Sequence, residues 1–321
     1  MANIAITTNC NLKCKYCFAD EFVDNFHGEE MTFENYLLAK RFILKSNQQS
    51  FGLIGGEPSI HSKYKEILKD CIEDPNVLKV TIFTNGIHVK KFLKEYACSK
   101  FMFLINCNSP LDIGEERYKI LTNNIKTLIE DYSASDRINF GINLYKQNQD
   151  FSYIIDLCKR YKKYNVRVSV TIPQEKIDMK TYFTSMKSTL ISFYKVCVEN
   201  SITPQYDCNV IPSCMYTEKE LFEMAKILNE CGEERARLIG ENCVCSPVID
   251  ILPNLTAIRC FGMSDIEKVP IKNFKNLTDL ANYFTKEIDY KLTNKVTEKA
   301  CESCYKCKTL QCYGGCLTFK K

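Results

Sequence analysis

Three cysteines, Cys10, Cys14 and Cys17, fall within eight residues in the run Cys10-Asn11-Leu12-Lys13-Cys14-Lys15-Tyr16-Cys17. Three thiolates this close can grip one face of an iron–sulfur cube and leave its fourth iron open. A catalytic site needs such an open position, and a structural site does not. The alternatives are a zinc knuckle or a set of buried thiols. Zinc sites usually close with a fourth Cys or His nearby, and the only histidine within short reach is His27. A second thiol-rich stretch holds Cys301, Cys304, Cys307, Cys312 and Cys316, with Cys243, Cys245 and Cys260 upstream. Paired Cys-x-x-Cys turns put two thiolates on one metal, and Gly314-Gly315 lets the chain fold tightly around it. A zinc ribbon uses four cysteines, and this region has eight.

The elements that must position these residues alternate from the N-terminus. Short β-rich runs at 3–8, 51–54, 77–83, 101–106, 138–144 and 166–172 are separated by helical runs at 32–45, 63–72, 89–96, 115–130 and 151–161. Six β–α units imply a parallel sheet with helices outside, since parallel strands need crossover connections. Periodicity does not separate an open doubly wound sheet from an incomplete barrel. In both, chemistry sits at the C-terminal strand ends. After Pro173 a helix (181–199) leads to a loop with Asp207, Cys208 and Cys214, then a helix at 218–231. From Cys243 onward the chain is turn-rich and thiol-dense, with too little apolar core to fold without metal. The divisions are therefore 1–205, 206–240 and 241–321.

The 19 cysteines occur in a chain with no secretory signal, which argues against a disulfide scaffold and for the reduced cytoplasm. No apolar run reaches membrane-spanning length. A formal charge of +4, with acids interleaved among the bases, does not suggest nucleic acid. Cys208 and Cys214 read as structural thiols, with ligation as the alternative. Cys71, Cys98, Cys107, Cys158, Cys197 and Cys231 read as core.

Cysteines spaced three and then two apart, with an aromatic before the last, resemble the signature of the radical S-adenosylmethionine (SAM) superfamily. The resemblance implies a 4Fe–4S cluster whose unique iron chelates SAM. Reductive cleavage would then give a 5′-deoxyadenosyl radical, with Tyr16 near the adenine. Gly55-Gly56-Glu57-Pro58 resembles the family's GGEP segment, which holds the methionine amino group of SAM. Thr84-Asn85-Gly86 resembles its TNG turn. Asn106 or Asn108, and Asn143, are polar candidates near SAM. The resemblance covers about 1–175 and selects a partial (β/α)6 TIM-like barrel.

The C-terminal cysteines resemble the SPASM or twitch extension of peptide-modifying members, which carries one or two auxiliary 4Fe–4S clusters. Cys245 and Cys260 have the family's kind of spacing, Pro253-Asn254 stands where relatives turn a hairpin, and 304–316 resembles the family's cysteine run. Departures are the four-residue gap from Cys307 to Cys312, Leu255 in place of the turn glycine, and no cysteine after Cys316. The resulting allocation is Cys243, Cys245, Cys260 and Cys316 on one auxiliary cluster, and Cys301, Cys304, Cys307 and Cys312 on the other. Phe261 stands where sulfatase-maturing relatives have an Asp base, which argues against formylglycine formation.

These resemblances imply a radical SAM oxidoreductase that crosslinks or oxidises a ribosomally made precursor peptide. A flavodoxin- or ferredoxin-type reductant would supply electrons. The chain begins almost at its first strand, so leader recognition would fall to the barrel or to a separate protein. The rivals are radical SAM modification of a small molecule or protein side chain, and a non-catalytic zinc or iron–sulfur module.

Overall fold

The computed structural model describes residues 2–23, 28–172, 177–229, 245, 247–295 and 299–320. It divides into two compact units, 1–139 with 247–288 and 140–246 with 289–321. Both are discontinuous in sequence.

The first unit contains β1 (Ala2–Thr7), β2 (Ser50–Gly55), β3 (Lys79–Thr84) and β4 (Phe101–Asn106), paired in that order and parallel. Between them run α1 (Phe33–Leu44), α2 (Tyr64–Glu73) and the short α3 (Leu93–Tyr96). Beyond β4 come α4 (Pro110–Ile113) and α5 (Glu115–Glu130). β1 is buried along its whole length, as expected of a strand with both faces covered. Thr32 caps α1, its side chain accepting from Asn35 N–H. Lys40 of α1 is held by Asp70 and Asp74, at 2.6 and 2.7 Å.

The register brings Thr7 beside Gly55, and Thr84 beside Ile105. The Cys10–Cys17 loop, Gly55-Gly56-Glu57-Pro58, Thr84-Asn85-Gly86 and Asn106 therefore emerge from neighbouring strand ends. The parallel α/β architecture expected from the alternation is present, with four of the six strands in this unit.

The second unit carries most of β5 (Ile138–Leu144), then β6 (Asn165–Val170) and β7 (Thr203–Cys208), again parallel. They are connected through α6 (Ser152–Arg160) and α7 (Met179–Glu199), with α8 (Glu218–Asn229) following. β7 occupies part of what the sequence reads as loop. Its residues, Thr-Pro-Gln-Tyr-Asp-Cys, lack apolar alternation and are largely solvent-facing. Only pairing with β6 makes them a strand, and Pro204 fits such a position.

Three more strands went unread. β8 (Ile249–Ile251) pairs parallel with β1, and β9 (Thr256–Ile258) and β10 (Val269–Pro270) add antiparallel. Each is only two or three residues long, too short to show a period. The β8–β9 turn places Leu255 at φ +60°, the left-handed conformation glycine adopts without strain. Leucine therefore keeps the turn that the relatives' glycine would make. Asn254 supports it, accepting from Thr256 N–H at 3.1 Å and Thr256 Oγ1 at 2.6 Å. Among the described residues no helix is long and apolar enough to cross a membrane.

Candidate active site

The site lies in the first unit, where the cysteine loop is fastened to the end of β2. Gly56 N–H donates to Thr7 O and Glu57 N–H to Asn9 O, both at 2.8 Å. The approach is too close for side chains. A Cβ on Gly55 would lie 2.2 Å from Thr7 O, and one on Gly56 would lie 2.0 Å from Asn9 O. Gly55 also has φ +151°. Within the loop, Cys17 N–H donates to Cys14 O at 3.1 Å.

Glu57 is almost wholly enclosed, at 1% exposure. Its Oε1 accepts from Ser59 N–H (3.1 Å), Ser59 Oγ (2.6 Å) and Thr84 Oγ1 (2.8 Å), and its Oε2 accepts from Asn85 N–H (2.7 Å). Burial raises its pKa, and these donors oppose the rise. Four bonds come close to filling a carboxylate's capacity. What Glu57 does visibly is tie the Gly-Gly turn to the Thr84-Asn85-Gly86 turn. Asn85 Nδ2 in turn donates to Asn11 Oδ1 at 2.7 Å, closing the circuit onto the cysteine loop. Pro58 is buried at the start of the 3-10 turn Pro58–Ile60. The buried Asn124 braces the third segment, donating to Gly86 O and Ile87 O at 2.8 Å each.

The three thiols are half-buried. Burial pushes Cys10 up to about 11 and Cys14 up to about 12, with the neighbouring cysteines adding to both, and it raises Cys17 as well. Tyr16, itself buried, hydrogen-bonds to Cys14 and opposes that rise. The Cys14 thiol also donates to Asn108 Oδ1 at 3.9 Å. Asn108 is buried, while Asn106 is half-buried with Nδ2 at 3.5 Å from Asn108 Oδ1. Of the two, Asn108 is the one placed against a cysteine. Asn143 belongs to the second unit, where its carbonyl accepts from Gln149 Nε2 at 2.9 Å.

A cavity of about 410 Å³ opens beside this loop, lined by Cys10, Asn11, Leu12, Lys13, Cys14, Asp112, Ile113 and Arg117. Sequence reasoning missed Asn11, Asp112 and Arg117. A signal for one of them was present, since Ser109-Pro110-Leu111-Asp112 is a capping-box pattern at a strand end. Ser109 Oγ donates to Asp112 Oδ2 at 2.6 Å and accepts from Asp112 N–H at 3.2 Å.

Phe261 explains its own departure from the relatives' Asp. It is buried in a core with Ala5, Ala19, Ile54, Leu252 and Ile258, against which Cys17, Phe22 and Phe83 pack. Its ring lies 5.5 Å from Phe18 and 5.1 Å from Phe22. This position supports the cysteine loop from below and holds no base.

In the second unit Cys301, Cys304, Cys307 and Cys312 come together. Cys307 hydrogen-bonds to both Cys301 and Cys304, and Cys312 acts electrostatically on all three. Gly314 N–H donates to Cys312 Sγ at 3.3 Å. The Cys316 thiol donates to Thr318 Oγ1 at 3.3 Å. Cys245 is also in this unit, Cys260 is in the first, and Cys243 lies outside the described residues.

No three or more His, Cys, Asp or Glu side chains among the described residues are gathered around the place of a single ion. A four-iron cube is wider than one ion and spreads its ligands further than the short Zn–S bonds of a tetrahedral site. Soft thiols on one pinned loop, with Tyr16 and Asn108 hydrogen-bonding to Cys14, suit such a cube.

The radical SAM superfamily model matches residues 4–174. A GTP 3′,8-cyclase of Clostridium perfringens is 26% identical over 176 residues, 47% of this chain and 53% of the relative. A probable GTP 3′,8-cyclase of Methanococcus maripaludis is 30% identical over 120 residues, 37% of this chain and 39% of the relative. The chain thus spans about half the length, or less, of these curated relatives. Among solved structures, Streptococcus suis SuiB bound to S-adenosylmethionine aligns over 99% of this chain and 72% of its own, with TM-score 0.60 and 18% identity. SuiB bound to its precursor peptide SuiA aligns over 99% and 71%, with the same score and identity. At that identity the likeness is one of fold.

Proposed function

We propose, from the premise that this chain belongs to the radical SAM superfamily, that it modifies a ribosomally synthesised peptide by crosslinking or oxidation. The observation that carries the peptide reading is extent. The likeness in fold to SuiB runs over 99% of the chain and so takes in the thiol-rich C-terminus. When bound, a 4Fe–4S cluster and SAM supply a 5′-deoxyadenosyl radical able to take an unactivated hydrogen atom.

The chain's own residues hold and orient. Cys10, Cys14 and Cys17 would ligate the cluster, each giving up its proton on binding. Gly55 and Gly56 let backbone approach SAM, and Glu57, Thr84 and Asn85 keep that backbone in register with the cysteine loop. Tyr16, Asn106, Asn108 and Asn143 are the remaining SAM contacts in this reading, and Pro58 fixes the exit from the turn. Cys243, Cys245, Cys260 and Cys316, with the 301–312 thiols, would hold one or two auxiliary clusters, which would supply one-electron redox chemistry there. A flavodoxin- or ferredoxin-type protein would reduce the first cluster. Nineteen cysteines in one chain suit the reduced cytoplasm.

A second reading, action on a nucleotide, is favoured by the names of the sequence relatives. The two are separated by mass spectrometry of anaerobic, dithionite-reduced reactions. One contains GTP, and the other a short peptide encoded beside the gene. The peptide reading expects 5′-deoxyadenosine in both cases but a mass change only in the peptide. A modified GTP with unchanged peptide would overturn it. Loss of 5′-deoxyadenosine in Cys14→Ala checks the cluster assignment.

A further inference from the structure

The second unit gathers more thiols than the 301–312 segment supplies. Its centre is the turn Gly314-Gly315, with φ +72° and +100°. A Cβ on Gly314 would lie 3.4 Å from Lys320 Nζ and 3.6 Å from Cys301 Sγ. One on Gly315 would meet Met179 Sδ at 2.4 Å and Pro212 Cγ at 3.6 Å. The start of α7, the loop after β7, the Cys301 helix and the final 3-10 turn therefore meet at one point.

Pro212 opens the 3-10 turn Ser213–Met215, closed by Met215 N–H donating to Pro212 O at 2.9 Å. That turn presents Cys214, an exposed cysteine. The cysteines that act electrostatically on its sulfur are Cys301, Cys312 and Cys304. Lys320 is buried at 6% exposure and donates to Thr293 O at 3.2 Å. Its ammonium faces Cys301, Cys307 and Cys312.

We infer that Cys214 is an iron ligand of the C-terminal cluster, brought by the loop after β7 to a set otherwise drawn from residues 301–312. This rests on the auxiliary-cluster reading above. Ligation replaces the thiol S–H by an Fe–S bond and releases one proton to solvent. With Cys214, five thiols are available to the four iron corners of one cube. Cys214 would also fasten the β7 loop to the C-terminus through metal.

The test uses the full chain with Cys10, Cys14 and Cys17 changed to Ala, so that only auxiliary iron remains. It is reconstituted anaerobically with ferrous iron and sulfide, then followed by iron counting and EPR after dithionite. The parent is expected to hold about four irons per auxiliary cluster. Cys214→Ala should lose between one iron and the whole cluster, with a changed EPR spectrum. Cys214→Ser should keep the fold by far-UV circular dichroism yet shift the EPR signal. Cys208→Ala, in β7 outside the turn, should match the parent. Parent-like iron and EPR in both Cys214 variants would overturn the inference alone. A parent with no iron would overturn it together with the auxiliary-cluster reading, while 5′-deoxyadenosine formation by the triplet-intact chain separately reports the first cluster.

Discussion

The change Gly56→Ala probes the closest backbone approach in the site. The new Cβ would lie 2.0 Å from Asn9 O, 2.5 Å from Asn9 C and 2.8 Å from Thr8 O. All three are backbone atoms, so no rotamer relieves the clash. Ordinary contact lies near 3.5 Å, and the cysteine loop and the end of β2 must separate by roughly 1 Å or more. That separation strains the Gly56-to-Thr7 and Glu57-to-Asn9 hydrogen bonds, each 2.8 Å. Each contributes about 1 kcal/mol, so a loss of about 2 kcal/mol in stability is expected. Misplacement on that scale costs on the order of a hundredfold in rate where a reacting group must be aligned. The assays are urea unfolding by circular dichroism and 5′-deoxyadenosine release from anaerobically reconstituted, reduced protein. Gly114→Ala is the control, because it too imposes side-chain strain at φ +83° but has nothing within 4 Å of the new Cβ. It should lose a similar amount of stability and keep its rate. If Gly56→Ala releases 5′-deoxyadenosine at the wild-type rate, the glycine is not holding the loop in its working position.

Three further outcomes are expected. Glu57→Gln places amide hydrogens against a buried donor, either Asn85 N–H or the Ser59 and Thr84 group. It should cost about 1–3 kcal/mol by urea unfolding and weaken SAM binding measured by calorimetry, and unchanged affinity would show the Glu57 circuit to be dispensable. Leu255→Gly relieves a left-handed leucine at φ +60° and should raise the unfolding free energy by up to about 1 kcal/mol, seen as a higher urea midpoint. A large fall in midpoint would instead show that the Leu255 side chain matters more than its strain.

Asp250 is buried, accepts from Asn3 Nδ2 at 2.7 Å, and is pushed by burial up to about 7. Its folded pKa lies above the unfolded value, so the folded state holds this proton more tightly. Its contribution is most favourable below about pH 4, is lost as pH rises toward 7, and is flat above. The stability of Asp250→Asn relative to wild type should therefore improve across pH 4 to 7 in denaturant titrations. A difference independent of pH would refute the assignment.

Much of the first unit was legible because its signals are local. The triplet directly follows β1, and the Gly-Gly and Thr-Asn-Gly turns directly follow β2 and β3. Chain order thus already placed them at one sheet edge. What stayed hidden depends on distant partners. β8 is recognisable only through its pairing with β1, and β7 only through β6. The Asn85–Asn11 bond joins residues 74 apart, with no spacing rule to announce it. Cys214 has no cysteine closer in sequence than Cys208, so its neighbourhood with Cys301 appears only once the Gly314-Gly315 turn is folded. Phe261 could be seen to differ from a base, but its packing under the cysteine loop could not.

The pairing of β8 onto β1 sets an order of events during synthesis on the ribosome. β1 acquires β2 early, but its other flank stays bare until residues 249–251 have been made. Until then a strand edge that is fully buried in the folded chain is open to pairing with other chains. Chains truncated anywhere before residue 249 would keep that edge bare permanently, and should aggregate even when the cysteine loop and its glycine clasp are intact.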